Sequence, residues 1–160
     1  MLKKSVFYLF ATAFIFAGQF LASNGLVTGE PPAFSARTLQ DKDPMFQIKQ
    51  GPALVYFWAE WCGICRSMQS NINTVLHDYP GITIAIRSGD DTRIRSYLAD
   101  NQLNWPTIND RDGKIAQRYG ARAVPAVLIV GANGDIVFAT AGYSSEIGLR
   151  MRLQLAKLLF

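Results

Sequence analysis

The sequence predicts an α/β domain, in which helices cover a β-sheet, preceded by one hydrophobic helix. Three patterns in the 160-residue chain support this fold class. Continuous apolar runs at Ala53–Trp58 and Ile82–Ile86 are typical of strands that are buried on both faces. Apolar residues recur at helical spacing after each of these runs. Further on, the Asn133-Gly134 pair between two more apolar runs predicts a β-hairpin, so the elements follow the order of a layered α/β domain.

Short elements are predicted ahead of the first buried strand. Ala33–Thr38 is interpreted as a strand, and a turn over residues 40–44 follows it. Met45–Ile48 is then expected to pair back on that strand as a hairpin, before Gly51-Pro52 interrupts the chain.

Helices are predicted after each buried strand. The first begins at Cys62 and ends before Pro80-Gly81, the second spans Asp91–Asn101, and a short helical segment covers Ile115–Tyr119 after a turn at residues 110–113. The first helix has its apolar residues at helical spacing: Ile64, Met68, Ile72, Val75 and Leu76.

The last part of the chain is predicted to be a hairpin followed by a helix. Its strands are Ala126–Val130 and Ile136–Ala141, and Ser144-Ser145-Glu146 supplies residues that favour a helix start. The apolar stripe of this helix is expected to consist of Ile147, Met151, Leu155 and Leu158.

The amino-acid composition is typical of one globular domain with an additional hydrophobic segment. Apolar residues make up 49% and charged residues 18%, enough for a core at this length. Two of the 16 basic residues, Lys3 and Lys4, belong to this segment, and with 12 acidic residues the remainder is close to neutral. This balance predicts an ordinary mixed surface and no nucleic-acid partner.

The N-terminal segment predicts export. Lys3 and Lys4 precede Ser5–Ala22, a stretch without charge or proline. We interpret residues 1–27 as a membrane anchor, or as a cleaved signal ending near Ser23-Asn24-Gly25, residues 28–32 as a linker and residues 33–160 as the domain. The lysines are expected to stay inside. The predicted location is the bacterial inner membrane, single-pass, with the domain in the periplasm, or a soluble periplasmic protein after cleavage, where disulfide chemistry is normal.

Both cysteines lie in one motif, Trp58–Cys65, between the first buried strand and the first helix. Cys62 falls in the first turn of the helix, where free N–H groups and the helix dipole favour a thiolate. Cys65 lies nearly one turn later and faces further inward. We therefore predict a redox disulfide between Cys62 and Cys65, with Cys62 attacking a partner disulfide and Cys65 resolving the mixed disulfide.

A metal site is the main alternative interpretation of this motif. Zinc needs four ligands, and the single histidine, His77, lies about 18 Å along the helix from Cys65. Zinc is therefore not expected, and neither is any other cofactor. A copper(I) carrier remains an alternative, because thiolates suit Cu(I) and Met68 could add a soft ligand. Core packing is the simpler role for Met68.

Three landmarks resemble those of thioredoxin-fold proteins. The motif Trp58–Cys65 is similar to their active-site motif, Val124-Pro125 before a strand resembles their cis-proline, and Gly142 resembles a glycine beside their substrate groove. The resemblance covers Ala33–Phe160. It implies a thioredoxin-like fold with a central mixed β-sheet flanked by helices, catalytic Cys62 and Cys65, and substrate-binding residues at Trp61, Val124, Pro125 and Gly142.

Within that fold, two features resemble the membrane-tethered TlpA/ResA/CcmG group, including its ScsD-type members. These are the long segment Ser88–Gly120 and the entry at Pro32-Ala33-Phe34. The resemblance implies an exported thiol-disulfide oxidoreductase that exchanges disulfides with protein thiols. It also implies a reductant recharged by a membrane electron donor of the DsbD type. A peroxide-consuming enzyme is least expected, because the companion residues around the first cysteine are missing.

The chain departs from this family pattern at two positions. Tyr56 stands where thioredoxins carry a buried aspartate, and Met68 stands where the TlpA-like group often has a carboxylate. The nearest acid, Glu60, is expected to be exposed. We further expect Trp58 to lie in the core and Trp61 at the rim of the site.

Overall fold

Five strands form one mixed sheet at the centre of the protein, in the order β3-β2-β1-β4-β5. The computed structural model describes residues 23–49 and 51–160. β1 pairs in parallel with β2 and β2 with β3, whereas β4 is antiparallel to both β1 and β5. The strands are β1 (Ala53–Trp58), β2 (Gly81–Ile86), β3 (Thr107–Asp110), β4 (Ala126–Val130) and β5 (Ile136–Ala141). The predicted thioredoxin-like sheet flanked by helices is confirmed.

Strand β1 lies in the middle of the sheet and divides the core into two halves. All six of its residues are buried. Tyr56 and Trp58 project into one half, which also contains Cys65, and Val55 and Phe57 project into the other. Because successive side chains alternate between the faces and both faces are covered, the strand needs apolar residues at every position.

Six helices cover the sheet in the described ranges. Asp90 caps α4 by accepting a hydrogen bond from the Arg93 N–H (2.9 Å), and Ser145 caps α6 by accepting one from the Gly148 N–H (3.3 Å). The helices are α1 (Pro44–Lys49), α2 (Gly63–Ser67), α3 (Gln69–Asp78), α4 (Asp91–Asp100), α5 (Lys114–Arg118) and α6 (Glu146–Leu159).

The predicted hairpin before β1 is wrong. Residues 33–38 form no strand, and the expected return strand Met45–Ile48 is part of helix α1. Proline is favoured at the first helical position, and the Asp43 carboxylate accepts a hydrogen bond from the Met45 N–H (2.9 Å). The pair Asp43-Pro44 therefore marked a helix start, not a turn.

Two other elements differ from prediction. Strand β3 is not predicted from the sequence, because three of its four residues are polar and it is ordered by pairing with β2. The single helix expected after Cys62 is divided into α2 and α3 at Met68. Met68 is fully buried at this junction and its carbonyl accepts a hydrogen bond from the Ile72 N–H (2.9 Å), so the two segments pack as one kinked unit.

Helix α6 contacts the core through a different stripe from the predicted one. Leu149, Leu153 and Ala156 are buried against the sheet. Both stripes have helical spacing, and periodicity alone does not distinguish them. The residues predicted to face the core lie on the exposed side: Ile147, Met151, Leu155 and Leu158.

Residues 23–29 run along the outer edge of β5. Ser23 Oγ accepts a hydrogen bond from the Ala141 N–H (3.0 Å) at one end, and Gly29 exchanges two hydrogen bonds with Ile136 (2.9 and 2.7 Å) at the other. This segment pairs backbone groups that an edge strand otherwise exposes. The predicted anchor helix, Ser5–Ala22, lies outside the described residues. Within residues 23–49 and 51–160, no helix is both long and apolar enough to span a bilayer.

Replacing Gly120 with alanine is predicted to destabilise the protein by about 2–4 kcal/mol. Gly120 has φ +68°, and an added Cβ would overlap the Gly25 carbonyl oxygen of the docked segment. Gly134→Ala is the matched control, because Gly134 also has positive φ (+89°) but no atom lies within 4 Å of the added Cβ. Urea unfolding measures both; equal losses would contradict a tight contact at Gly120.

Candidate active site

The two cysteines lie at the junction of β1 and α2 and form a disulfide. Their Cα atoms are 5.2 Å apart. Cys62 is the N-cap residue of α2, and its Sγ accepts a hydrogen bond from the Cys65 N–H (3.1 Å). Cys62 is 6% exposed and Cys65 is 3% exposed, so both residues are buried, and we call the sulfur of Cys62, the slightly more exposed residue, the outer sulfur. The N–H that faces Cys62 Sγ is a group that can stabilise a thiolate there.

A loop that ends in a cis-proline closes the other side of the disulfide. The Val124–Pro125 peptide bond is cis, as the resemblance implied. The Val124 carbonyl oxygen lies 3.7 Å from Cys62 Sγ, and the Pro125 carbonyl accepts a hydrogen bond from the Gly142 N–H (2.8 Å). Gly142 has φ +92°, a conformation that favours glycine. The structure thus brings Cys62, Val124, Pro125 and Gly142 together at one end of the sheet.

The two tryptophans of the motif occupy the places that the sequence predicted. Trp58 is buried, stacks on Tyr97 (ring centroids 5.3 Å apart) and meets Trp105 edge-on. Trp61 is 64% exposed, and its Nε1–H donates to the Arg87 carbonyl oxygen (3.2 Å). That bond fixes the indole at the rim of the site.

Glu60 is held in an ion pair and is only partly exposed. The Arg93 guanidinium donates to both carboxylate oxygens (2.7 and 2.9 Å). Hydrogen bonding to Arg93 is the main cause that lowers the pKa of Glu60, against a smaller opposing effect of burial. The carboxylate therefore stays ionised in this pair, and nothing in its geometry directs it at the sulfurs.

Tyr56 replaces an acid beneath the disulfide and does not act as one. Its side chain is fully buried in the same half of the core as Cys65 and packs edge-on against Trp105. Burial, with a smaller contribution from Tyr97, raises the pKa of Tyr56 well above its usual value, so the hydroxyl keeps its proton. In the part of the chain that the structure describes, Tyr56 Oη has no hydrogen-bond partner.

Neither Met68 nor His77 contributes a ligand at this site. Met68 is buried in the core, the simpler role expected from its place in the helix stripe. The His77 side chain is 87% exposed, and its Nδ1 lies 2.9 Å from a carboxylate oxygen of Asp78. Over residues 23–49 and 51–160, no three His, Cys, Asp or Glu side chains cluster as a metal site would require.

Two arginines near the disulfide, Arg87 after β2 and Arg122 before β4, are not predicted from the sequence. A pocket of about 420 Å³ opens beside the disulfide, and two of its lining residues, Trp61 and Val124, flank Cys62. Arg87 and Arg122 also line it. Arg87 directly follows β2, a parallel neighbour of β1, and residues after parallel strands meet at one end of a sheet. That rule could have placed Arg87 here, whereas no local pattern marks Arg122.

The fold and this geometry agree with what comparisons with known proteins find. The AhpC/TSA family matches residues 27–139. The chain belongs to the AhpC/TSA family. Within it, the chain is one of the thioredoxin-like thiol-disulfide oxidoreductases, which confirms the group resemblance seen in the sequence.

Three similar proteins illustrate this placement. A thioredoxin-like protein of Haemophilus influenzae is 34% identical over 66% of this chain and 64% of its own length. Thiol-disulfide oxidoreductase ResA of Bacillus thuringiensis is 23% identical over 82% of this chain and 80% of its own. The structure of a secreted disulfide oxidoreductase of Mycobacterium tuberculosis is 26% identical, has a TM-score of 0.58, and covers 76% of this chain and 94% of its own.

Removal of the Tyr56 hydroxyl is predicted to leave the protein as stable or to stabilise it by up to about 1 kcal/mol. The hydroxyl is buried without a partner, so Tyr56→Phe removes a desolvation cost. Tyr119→Phe is the matched control, because its hydroxyl donates to the Pro32 carbonyl (3.1 Å) and its loss should cost about 1 kcal/mol. A loss at Tyr56 as large as that at Tyr119, measured by urea unfolding, would contradict this account.

Proposed function

We propose that this protein is an exported thiol-disulfide oxidoreductase that exchanges disulfides with protein partners through Cys62 and Cys65. One observation carries the proposal: the outer sulfur, at the start of α2, lies 3.7 Å from the carbonyl that precedes a cis-proline. An extended partner chain can pair with the backbone exposed before such a proline and present its own sulfur to Cys62. Ala123 is exposed there and Val124 partly so.

The exchange proceeds in two balanced steps. In the reduced protein the Cys62 thiolate attacks a partner disulfide, a mixed disulfide forms, and the departing partner sulfur leaves as a thiolate that takes up a proton. Cys65 then loses its proton and attacks Cys62 Sγ, so that the Cys62–Cys65 disulfide forms and the second partner thiol is released. Two thiols of the protein are oxidised while one partner disulfide is reduced.

The surroundings of the two sulfurs support these roles. Cys62 is the outer sulfur, faces the Cys65 N–H and lies between Trp61 and Val124. Both cysteines belong to the same core cluster, and Cys65 is the less exposed of the two. Because Tyr56 keeps its proton and Glu60 is paired with Arg93, we propose that the Cys65 proton passes to the departing partner thiolate or to solvent.

For the direction of transfer, we propose that the protein acts as a reductant and is recharged by a membrane donor of the DsbD type. The long segment Ser88–Gly120, which resembles that of the TlpA/ResA/CcmG group, supports this choice. A copper(I)-carrier function is not carried further, because Met68 is fully buried in the core, where packing accounts for it.

We further propose that the segment before Ser23 tethers the domain to the membrane. Ser23 binds the N–H of Ala141, the residue before Gly142, so the chain enters the domain at the end that carries the disulfide. A tether at this point would place the site on the side of the domain nearest the membrane, where a membrane donor presents its thiols.

Single-cysteine variants test the exchange. Cys65→Ser should accumulate mixed disulfides with partner proteins in cells, because the attacking thiol remains and the resolving one is lost. Cys62→Ser is the matched control, since it also keeps one thiol, and it should trap none. Both should lose turnover in insulin reduction. Trapping by Cys62→Ser and not by Cys65→Ser would reverse the roles, and full activity of both would refute the proposal.

Fractionation tests the tether. Full-length tagged protein should remain in the membrane pellet after an alkaline wash, and a variant with a cleavable signal in place of residues 1–22 should appear in the soluble periplasmic fraction. A shortened wild-type protein in that fraction would support signal cleavage instead. Recovery of the full-length protein in the cytosol would contradict export.

A further inference from the structure

We propose that the pocket beside Cys62 selects partner segments that carry a carboxylate close to their reacting cysteine, a proposal that rests on the thiol exchange described above. We call it the basic pocket and define it by Trp61, Arg87, Arg122 and Val124. The proposal specifies which protein substrates the Cys62 site prefers.

The basic pocket begins where a partner must lie. Trp61 precedes Cys62 in the chain, and the Val124 carbonyl oxygen lies 3.7 Å from Cys62 Sγ. Ala123 and Val124, the backbone that an extended partner would pair with, are themselves part of the pocket wall. Consecutive Cα atoms are about 3.8 Å apart, so the residues next to the partner's cysteine come within reach of the pocket.

Two exposed guanidinium groups give the pocket its charge. The Arg87 Nη2 group makes a long hydrogen bond with the Asp112 carbonyl oxygen (3.4 Å), and the Arg122 guanidinium lies against Gly25. Within residues 23–49 and 51–160, neither arginine takes part in an ion pair. Both therefore retain donors for a ligand, and the fork of a guanidinium matches a carboxylate.

The acid that also lines the pocket does not cancel this charge. Asp112 lies 2.6 Å from the Lys114 ammonium group, and hydrogen bonding to Lys114 is the main cause that lowers its pKa. The pair is neutral, so the two arginines leave a net positive pocket. Its floor is formed by the buried residues Ile86, Ala116 and Ala121, and an apolar wall strengthens the field of nearby charges.

The test measures how fast the reduced protein consumes peptide disulfides that differ only beside the cysteine. Three peptides carry Glu, Gln or Lys on both sides of a cysteine that is linked to 2-thiopyridine, a neutral leaving group whose release is followed by absorbance. The Glu peptide should react about fivefold faster than the Gln peptide, and the Lys peptide more slowly than either. Raising the salt from about 0.01 M to about 1 M should remove most of the difference.

Arginine variants locate the effect. Arg87→Gln and Arg122→Gln should each lower the Glu-to-Gln rate ratio, and the double variant should bring it close to one. Arg95→Gln is the matched control, because Arg95 is an exposed arginine that does not line the pocket. The ratio is independent of any change in the intrinsic reactivity of Cys62, since both peptides meet the same thiolate.

The outcomes separate this proposal from the one it rests on. If the wild-type protein consumes all three peptides at equal rates, the basic pocket does not select a carboxylate, although the exchange function stands. If it consumes none of them, the exchange function itself fails. A preference that survives in the double variant, or that Arg95→Gln abolishes, would overturn the assignment to Arg87 and Arg122.

Discussion

The antiparallel pairing of β1 with β4 is the constraint on which the site depends. Phe57 pairs with Ala126, so the end of β1 and the start of β4 lie side by side. The cysteine motif follows the one, and the cis-proline precedes the other. A shift of one residue in this register would exchange the faces of every side chain on a strand. Because β1 projects Tyr56 and Trp58 into one core and Phe57 into another, such a shift is prohibitively costly, and packing thereby fixes the distance between Cys62 and Val124.

This pairing places mainly backbone groups beside the disulfide. The Cys65 N–H and the Val124 carbonyl face Cys62 Sγ; the first belongs to helix α2 and the second to the loop that leads into β4. Glu60, the acid nearest to the cysteines in the sequence, is paired with Arg93. The groups that face the outer sulfur are therefore backbone groups. Tyr56, buried in the same half of the core as Cys65, keeps its proton because burial raises its pKa.

The parts of the fold and site that the sequence predicted are those encoded locally. The doubly buried strand Ala53–Trp58, the cysteine pair at a helix start and the Asn133-Gly134 hairpin each carry their own pattern. Val124, Pro125 and Gly142 needed a family resemblance, because nothing within them indicates that they meet the cysteines.

The wrong or missing predictions share one physical reason. Where the local sequence is compatible with more than one structure, tertiary contacts select between them. Helix α6 has two apolar stripes at the same spacing, and only packing against the sheet selects Leu149 and Leu153 over Ile147 and Met151. Three of the four residues of strand β3 are polar, and the strand forms because it pairs with the edge of β2. Arg122 lies in a loop without periodicity, so its place beside the site follows from topology alone.

The edge of β5 connects the site to the start of the described chain. Ser23, Val27 and Gly29 each bond to the domain, so residues 23–29 are a fixed part of its surface. The predicted linker, residues 28–32, therefore overlaps the end of this docked segment. Because Ser23 bonds to Ala141, next to Gly142, the described chain begins at the end of the domain that carries the disulfide, and Gly29 bonds to Ile136 at the opposite end of the same strand.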